Sequence, residues 1–423
     1  MKKKIAIITI FCCLFSALAL GYFYLFQEES ITTIVPENIK PLAKESETVT
    51  ETKTPVEEKK AQSSSPVEEE QAPPVVSIET LEGSQPSDAL EFYQKGNFSR
   101  AMELFTKDFE GKKQEEEKAY SLAYMAKCLE YMGNKEKAKE TWQLLLGQYP
   151  KSPYCGDAQY YLSDFTETTL QNQKMLSEAS LHAEKSLGGK KAALKMAQFS
   201  VSQANKLDTW RYYSYAMKAS LSNAERKEIQ KILDPIVADM LTSPEATGCL
   251  VYKVVQGDNL TRIARKNKSS VEMMRYINKL KSDAINIGRE LKVIGGLPYI
   301  EVYKNSYFLV VYLPNHLYLK SYEIGLGKDN KTPPGVFSIK TKQKNPDWYT
   351  EENGKILKIP FNDPRNTLGT RWMGFSHEGF GIHGTKEPES IGKSMSNGCV
   401  RMKNEEVEQL FEIVGLGTQV TIK

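Results

Sequence analysis

Cysteine and histidine are scarce in this chain, whose 423 residues hold six cysteines and four histidines. The cysteines, Cys12, Cys13, Cys128, Cys155, Cys249 and Cys399, lack the short paired spacings of a zinc site or a disulfide-dense scaffold, so no metal and no other cofactor is expected. His377-Glu378 makes no metalloprotease helix, because the next histidine stands six positions on and Gly379 and Gly381 would break the helix that aligned them. A strong charge of one sign is also missing. With a net charge of +3 and no stripe of lysine and arginine interleaved with aromatics, the composition argues against a nucleic-acid partner. Long apolar runs are rare as well. The exception is Ile5 to Phe26, whose twenty-two residues carry no charge and follow Lys2, Lys3 and Lys4. About 20 apolar residues span a bilayer core. Apolar side chains continue past the small-residue site Ala17-Leu18-Ala19, which favours an uncleaved anchor over residues 1–26 against a cleaved signal peptide. Phe11 before Cys12 argues against a lipoprotein. The lysines then stay in the cytoplasm, and the rest of the chain lies outside the membrane, in the cell envelope or periplasm.

What is present points to several domains, since 423 residues exceed a single core. Residues 27–86 are rich in Glu, Pro, Ser, Thr and Lys and poor in large apolar side chains, the composition of a disordered tether. At Asp88 helical periodicity begins. Ala89, Phe92, Gly96, Asn97, Ala101 and Phe105 recur in kind 37 positions later as Ala126, Leu129, Gly133, Asn134, Ala138 and Trp142. Small residues suit a helix crossing, and a large residue one turn on fills the groove beside it. This pattern, over 87–165, resembles tetratricopeptide repeats, and residues 166–248 continue as a further helical region. A binding surface for a protein partner and a helical spacer are both open readings of these segments.

The stretch that carries chemistry runs from Ile382-His383-Gly384-Thr385 to Ser394-Met395-Ser396-Asn397-Gly398-Cys399-Val400-Arg401-Met402. A cysteine attacks carbonyls as thiolate, and with a free pKa of about 8.5 it needs a nearby base. A histidine supplies one. About 2 kcal/mol of pairing would make the thiolate the dominant form. The signature resembles that of the L,D-transpeptidase catalytic domain, His-Gly-Thr followed by Ser-x-Gly-Cys-(Val/Ile)-Arg-Met, and the likeness extends over 297–423. Asn397 stands where many family members carry a second histidine. The third group that orients the imidazole is therefore expected to be a main-chain carbonyl near Ser396 to Gly398. Short alternating runs such as Tyr307 to Tyr312 predict a mainly antiparallel β-sandwich, with one helix near Asn404 to Val414 and a closing strand at Gln419 to Lys423.

Tyr252-Lys253-Val254-Val255-Gln256-Gly257-Asp258-Asn259-Leu260 leads into apolar positions that end at Ile294, in the order strand, helix, helix, strand. It resembles a LysM domain, placed at 250–294, and the resemblance implies binding of peptidoglycan or chitin glycan. The loop bearing Gly257, Asp258 and Asn259 and the loop bearing Ile285 and Asn286 would flank the sugar groove. Asn259 replaces the usual Thr or Ser. The whole chain is then multidomain α plus β: anchor, tether, helical repeats, LysM domain and catalytic domain.

The resemblance implies a peptidoglycan L,D-transpeptidase. Its cysteine takes the acyl group of a tetrapeptide stem as a thioester and passes it to an amine. Cys399 would be the nucleophile and His383 the base. The amides of Gly398 and Cys399 would face the oxyanion. Ser396, Asn397 and Thr385 would shape the turn and the imidazole's setting, with packing as the plainer alternative. Arg401 would either hold a stem carboxylate or brace the loop in an ion pair. Two rivals stand beside this reading. One is a hydrolase with the same pair and water as acceptor. The other is a wall-binding scaffold without chemistry, which the intact pair disfavours.

Overall fold

The protein is described here by a computed structural model over residues 88–242, 249–352 and 354–423. The expected anchor and tether, residues 1–86, lie outside the described residues. Among the described residues no helix is long and apolar enough to cross a membrane.

Nine helices come first among the described residues: α1 (Asp88–Gln94), α2 (Phe98–Gly111), α3 (Glu115–Tyr131), α4 (Lys135–Gln148), α5 (Cys155–Ser163), α6 (Thr169–Ser180), α7 (Leu187–Ser202), α8 (Lys206–Lys218) and α9 (Asn223–Thr242). The 37-residue repeat appears in three dimensions as two hairpins with the same turn. Gly96 and Gly133 both sit at φ +75°, where a side chain would be strained. Asn97 and Asn134 follow them as N-caps, each accepting a hydrogen bond from the amide three residues on. Ala101 and Ala138 are wholly buried at the crossings, and Phe105 and Trp142 fill the space beside them. Cys128 and Cys155 are free thiols.

From α6 onward the helices have a different partner. The core that begins at Leu176 and runs through Trp210, Met217 and Leu233 is continuous with the core of the C-terminal sheet, whereas α1 to α5 pack round two smaller cores of their own. The open choice between spacer and partner arm therefore does not describe α8 and α9, which are built into the catalytic body.

Residues 250–293 form the expected strand, helix, helix, strand unit: β1 (Leu250–Lys253), α10 (Leu260–Lys266), α11 (Val271–Ile277) and β2 (Glu290–Val293), with β1 and β2 antiparallel. Its own core is Val254, Leu260, Ile263, Met274, Leu291 and Val293. It is also fastened to the C-terminal sheet. Glu272 of α11 pairs with Lys342 at 3.1 Å.

The remaining strands are β3 (Tyr299–Tyr303), β4 (Phe308–Tyr312), β5 (Tyr318–Glu323), β6 (Leu326–Gly327), β7 (Gly335–Lys344), β8 (Trp348–Glu352), β9 (Lys355–Ile359), β10 (Arg371–Phe375), β11 (Gly381–His383), β12 (Ser394–Ser396), β13 (Val400–Arg401) and β14 (Gln419–Ile422); helix α12 (Asn404–Ile413) precedes the last strand. Eight of them form one sheet in the order β13-β11-β10-β7-β14-β3-β4-β5. The mainly antiparallel pairing expected from the sequence is present, but the eight strands run in one continuous sheet in place of a sandwich. The ten-residue β7 pairs with β14 through its first half and with β10 through its second, so one strand joins both halves of the sheet. Two pairings, β14 with β3 and β11 with β13, are parallel. The closing strand at 419–422 is thus central, and the sheet's free ends are β5 and β13.

Candidate active site

The parallel pairing of β11 and β13 sets His383 opposite Arg401. Cys399 directly precedes β13, one residue before Val400, which pairs with Ile382. Residues sixteen positions apart in sequence thus fall on or beside neighbouring strands.

His383 is buried, and its Nδ1 lies 2.6 Å from the carbonyl of Gly384. A carbonyl only accepts, so Nδ1 carries the proton and Nε2 keeps its lone pair, the tautomer a base needs. This corrects the expected orienting group. The carbonyl belongs to the histidine's own following residue, not to the Ser396 to Gly398 turn. The Trp372 ring, across from His383 on β10, lies 5.9 Å away and backs the imidazole.

Burial lowers the His383 pKa to about 4, which the Gly384 carbonyl only partly offsets; Arg401 lowers it further. Burial likewise pushes the Cys399 thiol up, while the Gly381 amide and the Arg401 charge pull it down. Burial thus works against the charged form of each group. The thiol is half-buried and donates to the Gly379 carbonyl at 3.4 Å.

The turn before Cys399 is tightly specified. Ser396 Oγ donates to the Cys399 carbonyl at 2.7 Å and accepts from the Gly398 amide at 3.1 Å. The Gly398 amide, expected to face the oxyanion, is thereby committed to Ser396. Gly398 has φ +127°, and a methyl there would run into the Phe380 ring. Only glycine fits. Asn397 is exposed. Thr385 is buried, and its hydroxyl accepts from the Glu387 amide at 3.0 Å, so it braces the turn beyond the imidazole. Glu387 in turn holds Arg401 Nη1 at 2.9 Å. Arg401 is thus engaged in an ion pair, while its buried Nε has no partner among the described residues.

Gly257, Asp258, Asn259, Ile285 and Asn286 form a second group. Asp258 accepts from Tyr252 Oη and from the Val255 amide, both at 2.9 Å, and Asn259 caps α10 by accepting from the Arg262 amide at 2.8 Å. The two loops are joined where the Gly288 amide donates to the Val254 carbonyl at 2.8 Å. Asn286 is exposed and Ile285 packs on the small domain's core.

Sequence reasoning missed the Gly384 carbonyl, the Gly379 and Gly381 backbone groups at the sulfur, and Asn404, whose carboxamide binds Thr370 and Thr385. Gly369 and Gly384 were the available signal, being glycines where another chain element approaches closely.

Comparison with known proteins bears on this geometry. Residues 297–422 match the model of the L,D-transpeptidase catalytic domain, and residues 252–293 match that of the LysM domain. A Bacillus subtilis (strain 168) protein named as L,D-transpeptidase YqjB is 43% identical over 133 residues, 30% of this chain and 72% of the relative. A second from that strain, named as L,D-transpeptidase YkuD, is 35% identical over 182 residues, 41% of this chain and 98% of the relative. Among solved structures, the catalytic domain of the E. faecium L,D-transpeptidase aligns at 25% identity with a TM-score of 0.25, over 30% of this chain and 96% of that one.

Proposed function

The chain belongs to the L,D-transpeptidase family, cysteine-dependent acyltransferases that cross-link peptidoglycan, and from that premise we propose that Cys399 is its nucleophile and His383 its base. The observation that carries the assignment is the 2.6 Å hydrogen bond from His383 Nδ1 to the Gly384 carbonyl, which makes Nε2 the basic nitrogen of the ring.

In the acylation step the Cys399 sulfur bonds to the L-centre carbonyl carbon of the donor stem while its proton passes to His383 Nε2. Charge collects on the carbonyl oxygen, and the Cys399 amide is the donor assigned to it, because the Gly398 amide serves Ser396. The carbon–nitrogen bond to the terminal D-alanine then breaks, and that amine leaves with the proton from His383. An acceptor amine loses a proton to His383 as it attacks the thioester, and the thiol is restored. Each step ends with the proton where the next requires it.

The LysM domain implies peptidoglycan binding, with the glycan contact assigned to the loops bearing Gly257, Asp258, Asn259, Ile285 and Asn286. Helices α1 to α5 are read as tetratricopeptide-like, on the strength of the repeated glycine turn and asparagine cap. A groove of about 520 Å³ lined by Leu146, Leu162, Phe165 and Met175 is where a protein partner would sit. The anchor over 1–26 is retained from its sequence and places the enzyme at the outer face of the membrane.

The test is mass spectrometry of disaccharide tetrapeptide incubated with the full-length protein and with Cys399→Ala. A cross-linked product from the wild type alone is expected. Tripeptide alone would favour the hydrolase, and product from the alanine variant would remove Cys399 from the chemistry.

A further inference from the structure

Asn404 opens α12, yet its side chain caps nothing of its own helix, whose N-cap is Lys403 without a side-chain bond. It reaches instead toward two loops. Its Oδ1 accepts from the Thr370 amide at 3.0 Å, and its Nδ2 donates to the Thr385 carbonyl at 2.9 Å. These loops are the ones that flank the His383 imidazole. Gly384, beside Thr385, gives the carbonyl that accepts from Nδ1, and the backbone of Leu368, two residues before Thr370, also faces the ring. Gly369 and Gly384 face Asn404 Oδ1 so closely that a methyl on either would overlap it. The helix under Asn404 is fixed by buried Val407, Leu410, Phe411 and Ile413.

Resting on the assignment of His383 as base, we propose that Asn404 is a positioning residue: one carboxamide ties together the two backbone segments that orient the catalytic imidazole, fixing which of its nitrogens holds the proton. The chemistry fits an amide and no other side chain of that size. A carboxylate would turn repulsive toward the Thr385 carbonyl, and an aliphatic residue would leave the Thr370 amide and that carbonyl without their partner. The charged group facing His383 is Arg401, with Glu387 beyond it, and neither touches Asn404 in a way that would let charge explain its effect.

The experiment measures kcat, KM and the pH dependence of stem exchange for the full-length wild type, Asn404→Ala, Asn404→Asp, Gly384→Ala and the double variant Gly384→Ala/Asn404→Ala, with a melting curve for each. Loosening the loops lets water reach the ring and lets it rotate. For Asn404→Ala the expected result is a kcat lower by about tenfold to a hundredfold, the range a small misplacement costs. KM should stay within about twofold, and the acid limb of kcat should move up by about one pH unit as the imidazole regains solvent. Gly384→Ala should reproduce this by displacing the amide. The double variant should be no worse than either single, because its methyl meets no oxygen. A kcat that falls only with the folded fraction, at an unmoved acid limb, would overturn the proposal, as would additive losses in the double variant. Should Asn404→Ala not fold, Asn404→Asp, which keeps the oxygen toward Thr370, carries the same reading. Cys399→Ala run in parallel separates the two levels: if it retains turnover, the catalytic assignment fails whatever Asn404 does.

Discussion

The two ends of the eight-stranded sheet solve the same problem in opposite ways. Every open sheet leaves unpaired amides and carbonyls at its first and last strands, and these must be covered. At β5 the cover is helical. Trp210 Nε1 donates to the Tyr318 carbonyl at 2.7 Å, Ser214 Oγ accepts from the Tyr318 amide at 2.8 Å, and Gln230 Nε2 donates to the Ser321 carbonyl at 2.9 Å. Asp234 adds bonds to Tyr318 Oη and Lys320. Side chains from α8 and α9 thus stand where another strand would. The buried Arg226 ties the arrangement together, bonding Ser306 and the carbonyls of Met217 and Ala219 while its guanidinium lies 3.6 Å over the Tyr303 ring. At β13 the amide and carbonyl of Arg401 are bridged to Gly325, and it is the side chains round this end that are less fully satisfied. His383 is buried and neutral, Gly398 is strained for any side chain, and Thr370 Oγ1, Arg371 Nε and Arg401 Nε are buried without partners. Tyr322 Oη shows that the covered end is not wholly free of such groups. The difference teaches where this sheet keeps its stability and where it keeps its reactivity.

The comparison breaks most sharply at Cys399. Cys399→Ala is expected to lower turnover at least about a thousandfold, as removal of a nucleophile does, with the melting temperature nearly unchanged. Turnover above about a tenth of wild type would show the reactive end to be elsewhere. The opposite signature is expected of Trp210→Ala. Loss of a buried tryptophan should cost about 3 to 5 kcal/mol in urea unfolding, while kcat of the molecules still folded holds steady. A selective loss of kcat would mean that the covered edge takes part in catalysis.

Acid sharpens the same contrast. The folded-state pKa of His383, about 4, lies below the ordinary value of 6.5. The unfolded chain therefore takes the proton first. Stability is unaffected above about pH 6.5, falls as pH drops through that value, and has lost about 3 kcal/mol by pH 4. Urea unfolding of wild type and His383→Gln across this range checks it, and the variant should show the shallower decline. Turnover should also persist well below pH 6.5, since the base stays neutral there. An acid limb at the ordinary histidine value would refute the buried, neutral imidazole.

The smallest effect on chemistry is expected in the LysM loops. Gly257→Val and Asn286→Ala should weaken binding to isolated sacculi but leave turnover of a small soluble stem within about twofold, as for surface positions remote from the chemistry. Deleting the whole domain is a poorer test, because it removes Glu272 from Lys342, whose Nζ also bonds the carbonyls of Phe411 and Val414. A turnover loss from the loop variants equal to the binding loss would join the two sites.

The sequence by itself determined what neighbouring residues settle among themselves. The 37-residue repeat specified a glycine turn, an asparagine cap and an alanine crossing, all set by a few adjacent dihedrals and bonds. The strand and helix order of 250–293 followed from periodicity, and Ser396 to Met402 announced a sharp turn bearing a thiol. Tertiary structure decided the rest. Periodicity says that a face of α8 is buried; it does not say that the face meets the edge of a sheet more than a hundred residues on. Spacing could suggest His383 and Cys399 as a pair, but only the parallel registry of β11 and β13 set the two stretches side by side. Packing likewise aimed Asn404 at Thr370 and Thr385, far from it in the chain. A backbone carbonyl is the same in every residue, so its role has no letter in the sequence, and only its position in the fold can assign it.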